Sequence, residues 1–92
     1  DSMPRYNITV KGRVQGVGFR YFVQSISINM NLSGWVKNLD NGNVEFEVEN
    51  DEEFLDLFLQ KLKKGNGFSR IEDLDIISIV PLNQNSKFKI IY

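Results

Sequence analysis

Tyr6, Ile8 and Val10 alternate with Asn7, Thr9 and Lys11, and this period of two predicts a half-buried strand over about residues 5–11. Phe19, Phe22, Val23, Ile26 and Met30 then recur at helical spacing, which predicts a helix from Phe19 to Asn31. The stretch from Asn31 to Gly34 ends it, because asparagine and glycine both favour helix stops. Trp35 to Leu39 reads as a second strand. Asp40-Asn41-Gly42 reads as a hairpin turn, since asparagine and glycine tolerate the positive φ that such turns need. The third strand sets Val44, Phe46 and Val48 on an apolar face and Glu45, Glu47 and Glu49 on a face expected to be solvated.

A second helix opens at Asn50 or Asp51, where Asn50 followed three residues later by Glu53 forms a near capping box. Leu55, Phe58, Leu59 and Leu62 make its buried stripe. Lys61, Lys63 and Lys64 suit the negative end of its dipole, and Gly65 stops it. Gly65 to Ser69 is a loop, and Leu74 to Val80 a fourth strand ended by Pro81. Lys87 to Tyr92 is a fifth, with Phe88 and Ile90 facing inward. The last two segments are expected to form one edge ribbon, or a strand and its extension. The order βαββαβ predicts an α+β, ferredoxin-like sandwich, a four-stranded antiparallel sheet with two helices on one face. Residues 5–92 make one domain and residues 1–4 a tail, in which Asp1-Ser2 ahead of Met3 reads as a cloning remnant.

Composition changes this picture mainly by exclusion. The 92 residues carry 41% hydrophobic and 12% aromatic side chains, ordinary for a small folded core. A net charge of −1 lacks the electrostatic footprint of a nucleic-acid binder. The chain has no cysteine and no histidine, so disulfides, thiolate chemistry and histidine-assisted nucleophiles are excluded. A zinc site would need carboxylates alone. The lack of cysteine fits a reducing cytoplasm. No stretch has the length of a membrane span, and no N-terminal apolar region resembles a signal peptide.

Candidate chemistry gathers in Gly12-Arg13-Val14-Gln15-Gly16-Val17-Gly18-Phe19-Arg20, between the first strand and the first helix. Glycine at 16 and 18 permits positive φ and lets an anion approach without a Cβ in the way. A loop so placed aims backbone N–H groups at one spot, where the helix dipole also favours negative charge. Spacing alone fits either a plain strand-to-helix connection or such an anion cradle. Gly-Lys-Ser/Thr is absent, so it is no Walker loop. Arg20 is odd for the plain reading, because a cation beside an electropositive helix start is unfavourable without an anion to offset it. Its planar fork of donors suits a phosphoryl group. Arg13 is read as solvated or paired with a carboxylate. Asn38 ends the second strand, where it either starts the turn or faces the cradle; spacing leaves both open. Trp35 is read as core or rim cover, and the lysines of the second helix as a solvated face.

Val10-x-Gly12-Arg13-Val14-Gln15-Gly16-Val17-Gly18-Phe19-Arg20, then Gly34-Trp35-Val36-Lys37-Asn38, then Gly42-x-Val44-Glu45 together resemble the acylphosphatase family. The likeness spans about Arg5 to Tyr92 in one reading frame. It implies a metal-independent hydrolase of acyl phosphates with no cofactor and no metal. Arg20 would bind the substrate phosphate and Asn38 would hold the attacking water. The loop Gln15, Gly16, Val17, Gly18 and Phe19 would supply backbone donors. The implied partners are an acyl phosphate and inorganic phosphate, with no nucleic acid and no membrane, in a cytoplasmic monomer. One departure is Gly65-Asn66-Gly67, where the family often has a Gly-Pro turn; this loop is expected to lie remote from the cradle and to bear on stability more than activity. The alternative is a phosphate- or carbamoyl-phosphate-binding module like the N-terminal domain of hydrogenase-maturation factors. No zinc-finger or second-domain segment follows the fifth strand, which favours the enzyme. A nucleic-acid-binding or regulatory ferredoxin-like domain ranks below both, because the third strand carries glutamates where such a sheet would be basic.

Overall fold

The computed structural model describes residues 3–83 and 86–92, so the proposed remnant Asp1-Ser2 lies outside the described residues. The elements are β1 (Arg5–Arg13), α1 (Phe19–Asn29), β2 (Ser33–Asn38), β3 (Val44–Glu49), α2 (Glu52–Lys64), β4 (Arg70–Ile79) and β5 (Lys89–Ile90). The alternating segments form the central strands as expected. Ile8, Val10, Val36, Val44, Phe46 and Val48 point to one face of the sheet. There they meet Phe19, Val23 and Ile26 of α1 and Leu55, Phe58 and Leu62 of α2 in a single core. Phe46 and Phe58 touch edge to face at 5.8 Å, adding about 0.5–1.5 kcal/mol beyond their burial.

The sheet order is β4-β1-β3-β2-β5. Both β1 and β2 run antiparallel to β3, so they are parallel to each other and separated by one strand. Their C-terminal ends therefore emerge at the same end of the sheet, about 10 Å apart at the usual strand spacing. That end carries the residue 14–18 loop and Asn38.

The four-stranded antiparallel sheet expected from the element order is instead a five-stranded mixed one. The two-residue β5 pairs parallel with β2, through Trp35↔Lys89 and Val36↔Ile90. Nor do β4 and β5 share a ribbon, for they lie on opposite edges. Strand β4 also begins four residues before the expected Leu74. Within the charged run Arg70-Ile71-Glu72-Asp73, Asp73 pairs with Lys11, and Ile71 and Arg70 pair with Gly12 and Arg13 past an irregularity between Lys11 and Gly12. An edge strand needs no apolar alternation where its outer side meets water, which is why this part carries no strand pattern.

Helix α1 ends in a Schellman motif. Asn31 sits at φ 58, its N–H donates to Ile28 O at 3.1 Å, and Leu32 N–H donates to Ser27 O at 2.8 Å. The capping box expected at α2 does not form. Asp51 is the N-cap with no side-chain cap, and Asn50 Nδ2 donates to Asn31 O at 3.1 Å, where α1 leaves carbonyls unpaired. Asn50 thus ties the end of one helix to the start of the next.

The glutamates of β3 are not a solvated face either. Arg5, 3% exposed, donates through Nε to Glu47 Oε1 at 2.8 Å and through Nη1 to Glu49 Oε1 at 3.1 Å. Glu49 is buried and also accepts from Leu82 N–H and Asn83 N–H, both at 2.9 Å. Those two amides belong to the segment that follows β4. One carboxylate therefore fastens β1, β3 and the residues just after β4 at the end of the sheet away from Asn38. Burial pushes its pKa up, but the hydrogen bonds from Leu82, Arg5 and Asn83 outweigh it and hold the group below its ordinary 4.5.

A folded-state pKa below the unfolded one contributes stability that is present above the unfolded value and is lost as pH falls through the folded one. Glu49→Gln is therefore expected to cost about 1–3 kcal/mol at pH 7, the usual scale for impairing buried hydrogen bonds. The gap between variant and parent narrows as pH falls below the ordinary 4.5. Urea unfolding at pH 7 and pH 3 checks this.

Candidate active site

Val14, buried at 1% exposure, brings the chain off β1 and into the core. The chain then turns through residues 15–18 and enters α1 at Phe19. Gly16 and Gly18 take φ 74 and 76, the left-handed region that glycine adopts without strain. Gly18 is the N-cap of α1 and has no side chain to cap with; the first turn holds no acidic residue. The first main-chain bond of the helix runs from Phe22 N–H to Gly18 O at 3.0 Å. The amides of Phe19, Arg20 and Tyr21 are therefore open donors at the positive end of the dipole. Most helices place Ser, Asp or Asn here. This one leaves its amides free and adds a cation.

That cation is Arg20. Among the described residues it makes no ion pair; its guanidinium lies over the Tyr92 ring, 5.1 Å from the centroid. An aromatic face attracts the charge while leaving the N–H edge of the guanidinium to other partners. The Tyr92 hydroxyl lies 3.3 Å from that of Tyr21, and this contact raises the Tyr92 pKa above its ordinary value.

Asn38 reaches the same place from β2. It follows Val36 by two positions, so its side chain leaves the core face of the sheet just beyond the buried Val36. Its Oδ1 is buried with no hydrogen-bond partner among the described residues. A buried acceptor left so costs about 1–3 kcal/mol, and such exceptions mark places where structure serves function. Val14, Gly16, Gly18, Phe19, Arg20, Tyr21 and Asn38 line one cleft of about 200 Å³. Pockets for drug-sized molecules run roughly 300–1,000 Å³, so this one suits a small anion with a reacting water. Spacing left two readings for Asn38, and the structure places it on the cleft shared with Gly16, Gly18 and Arg20.

The side chains of the loop have tasks of their own. The Gln15 side chain is occupied elsewhere, since Nε2 donates to Leu39 O at 2.7 Å and to Asn43 O at 2.9 Å. It pins the β2–β3 turn to the loop, and so holds Asn38 in register with the helix start. Its side-chain amide nitrogen is therefore not available to a ligand. Val17 does not line the cleft. The loop at Gly65-Asn66-Gly67 is not remote. Asn66 Nδ2 donates to Val17 O at 2.9 Å, across 49 residues of sequence. The side chains that sequence reasoning missed are Val14, Tyr21, Tyr92 and Asn66. Of these only Val14 and Tyr21 carried a local signal, being next to the glycines and to Arg20.

Larger clefts among the described residues lie outside this site. One, of about 490 Å³, is lined by Ile28, Asn31, Leu32, Ser86, Lys87 and Phe88. Another, of about 250 Å³, lies among Asn29, Met30, Asn31, Phe54 and Leu57. Neither brings a cation to a helix start. Among the described residues no three carboxylates converge as metal ligands, and no helix is long and apolar enough to cross a membrane.

Comparison with known proteins agrees with this geometry. The acylphosphatase family model matches residues 6–90. Acylphosphatase from Clostridium beijerinckii is 49% identical over 90 residues, covering 98% of this chain and 100% of that one. A crystal structure of acylphosphatase from Bacillus subtilis superposes with a TM-score of 0.92 at 44% identity, covering 98% of this chain and 100% of that one. Full-length HypF, in a phosphate- and nucleotide-bound crystal structure, superposes with a TM-score of 0.83 at 30% identity, but this chain spans 12% of it. With the family model and full-length relatives matching along nearly its whole length, the chain belongs to the acylphosphatase family.

Proposed function

We propose that this acylphosphatase hydrolyses acyl phosphates by position and charge alone, without a metal or cofactor, as a monomer in the cytoplasm. Arg20 and the amides of the loop and first helical turn hold the phosphoryl oxygens, and Asn38 holds the attacking water. The observation that carries this reading is the unpartnered, buried Asn38 Oδ1 in the same small cleft as the unpaired Arg20. An acceptor there matches a water proton, and the donors opposite it match phosphoryl oxygens.

The chemistry asks little of the protein. Water attacks phosphorus, the bond from phosphorus to the bridging oxygen breaks, and the electron pair leaves on a carboxylate. A carboxylate is stable at neutral pH, so no general acid is needed at the leaving group. The transferring phosphoryl group carries its charge on three equatorial oxygens, which is where amides and a guanidinium act. Asparagine is no base, so the water's proton passes to the phosphate itself. Holding water and phosphorus together supplies the rest of the acceleration through lost freedom already paid on binding. The cleft reads the phosphate end, which predicts tolerance of different acyl groups.

Hydrolysis of benzoyl phosphate by the purified protein tests the reading. Activity should persist in EDTA and be inhibited competitively by phosphate, which should also raise the melting temperature by binding the folded state. Arg20→Ala should lose most binding and activity, and Arg20→Lys should do poorly for want of the bidentate fork. Asn38→Ala should keep phosphate affinity while kcat falls about two to three orders of magnitude. Lost affinity with kept turnover in Asn38→Ala would refute its role. A kinetic pKa traced to a protein carboxylate would refute proton transfer to phosphate. No hydrolysis, with phosphate still stabilising the fold, would make the chain a binding module of the HypF kind.

A further inference from the structure

The loop between α2 and β4 reaches the cleft from behind through one side chain. Asn66 Oδ1 accepts from Phe68 N–H at 3.0 Å and from Ser69 N–H at 2.9 Å. Main-chain amides can only donate, so the atom facing them is the oxygen, and the other end of the carboxamide is the NH₂. That NH₂ donates to Val17 O at 2.9 Å. A Cβ built on Gly18 would lie 3.9 Å from Asn66 Nδ2, so the carboxamide stands directly behind Gly18.

Val17 O belongs to the peptide unit that also carries the Gly18 N–H. In a trans peptide the two bonds point in opposite directions. A hydrogen bond that draws the Val17 carbonyl toward Asn66 therefore turns the Gly18 N–H away from Asn66, and Gly18 lines the cleft. Left alone, this peptide would be loosely specified. It adjoins Gly18, and Gly16 lies one residue further back; both take the left-handed region at no steric cost, and glycine reaches the opposite sign of φ as readily. A flip of the plane would put a carbonyl oxygen where the site needs a donor.

We propose that Asn66 is a positioning residue of this site: it clamps the Val17–Gly18 peptide so that the Gly18 N–H stays aimed at the substrate phosphate. The proposal rests on the reading of the residue 15–19 loop as the phosphate site. Asn66 touches no substrate; it acts through one peptide plane. The carboxamide is suited to this because one end holds its own loop through two amides while the other end reaches across.

The test uses Asn66→Ser, which is uncharged, keeps an oxygen for the amides of its own turn and is too short to reach Val17 O. Expected results are a folded protein with a small loss of melting temperature, phosphate affinity weaker by about tenfold, the scale of one hydrogen bond to a charged group, and a kcat on benzoyl phosphate lower by at least as much. In ¹⁵N-labelled parent protein the Gly18 amide should shift on adding phosphate, and in the variant that response should collapse. A variant that loses only melting temperature, with parental kcat, KM and Gly18 response, would overturn the proposal and leave Asn66 as a loop staple. If Asn66→Ser does not fold, Asn66→Asp keeps both acceptances from Phe68 and Ser69 but cannot donate to Val17 O. Its Gly18 N–H dipolar coupling, read without phosphate, should then depart from the parent's; an unchanged coupling overturns the clamp. A parent protein whose Gly18 amide ignores phosphate, and which does not hydrolyse benzoyl phosphate, would overturn the phosphate-site reading and the clamp with it.

Discussion

The insertion of β3 between β1 and β2 is the constraint on which the rest of the molecule depends. Because both outer strands pair antiparallel with β3, they run the same way and end at the same edge. One strand's width separates their ends, enough for a glycine-bearing turn to lie across the gap with a helix start beside it. The β2–β3 hairpin then returns Asn38 to within reach of that helix start, and Gln15 fastens the two through Leu39 O and Asn43 O. The core below is buried, and the opposite end of the sheet is tied by Arg5 and Glu49. The site is thus assembled by topology first and by side chains second.

Its electrostatics follow one logic. A helix start with open amides, no capping side chain and an arginine in the first turn is a concentration of positive potential that folding alone would not select. Tyr92 offsets part of that cost by offering its ring to the guanidinium without consuming the donors. An anion at the helix start would relieve the remainder. The uncapped helix, the carboxylate-free arginine and the unpartnered Asn38 oxygen are three local penalties that one bound phosphoryl group and its water would cancel together. Strain of this kind concentrated in a small cleft is what a site without histidine, cysteine or clustered carboxylates has to work with.

Much of this was legible in the sequence because it is local. Period-two alternation marked β1 and β3, helical spacing marked α1, and the Asp40-Asn41-Gly42 turn fixed the hairpin that carries Asn38. The glycines and Arg20 marked the turn that lines the cleft, because their signal lies within nine residues of sequence. What escaped is tertiary. The parallel β5 is two residues long, too short for a pattern, and its place beside β2 is a pairing more than 50 residues apart in sequence. Glu49 looked solvated because alternation alone put it opposite Val48; its burial comes from Arg5 and from amides more than 30 residues further along the chain. Asn50 matched a capping pattern, but its oxygen accepts from the adjacent Asp51 N–H and its amide donates to the carbonyls ending α1. Asn66 read as a remote loop residue because nothing in its neighbourhood encodes a contact 49 residues away.

A crystal structure with inorganic phosphate bound tests the central claim most directly. The account predicts a phosphate seated on the amides of the residue 15–18 turn and the start of α1, with Arg20 on its oxygens and a water bridging it to Asn38 Oδ1. Phosphate bound instead in the cleft beside Lys87, or seated at the helix start with Arg20 turned away and Asn38 bonded within the protein, would contradict it.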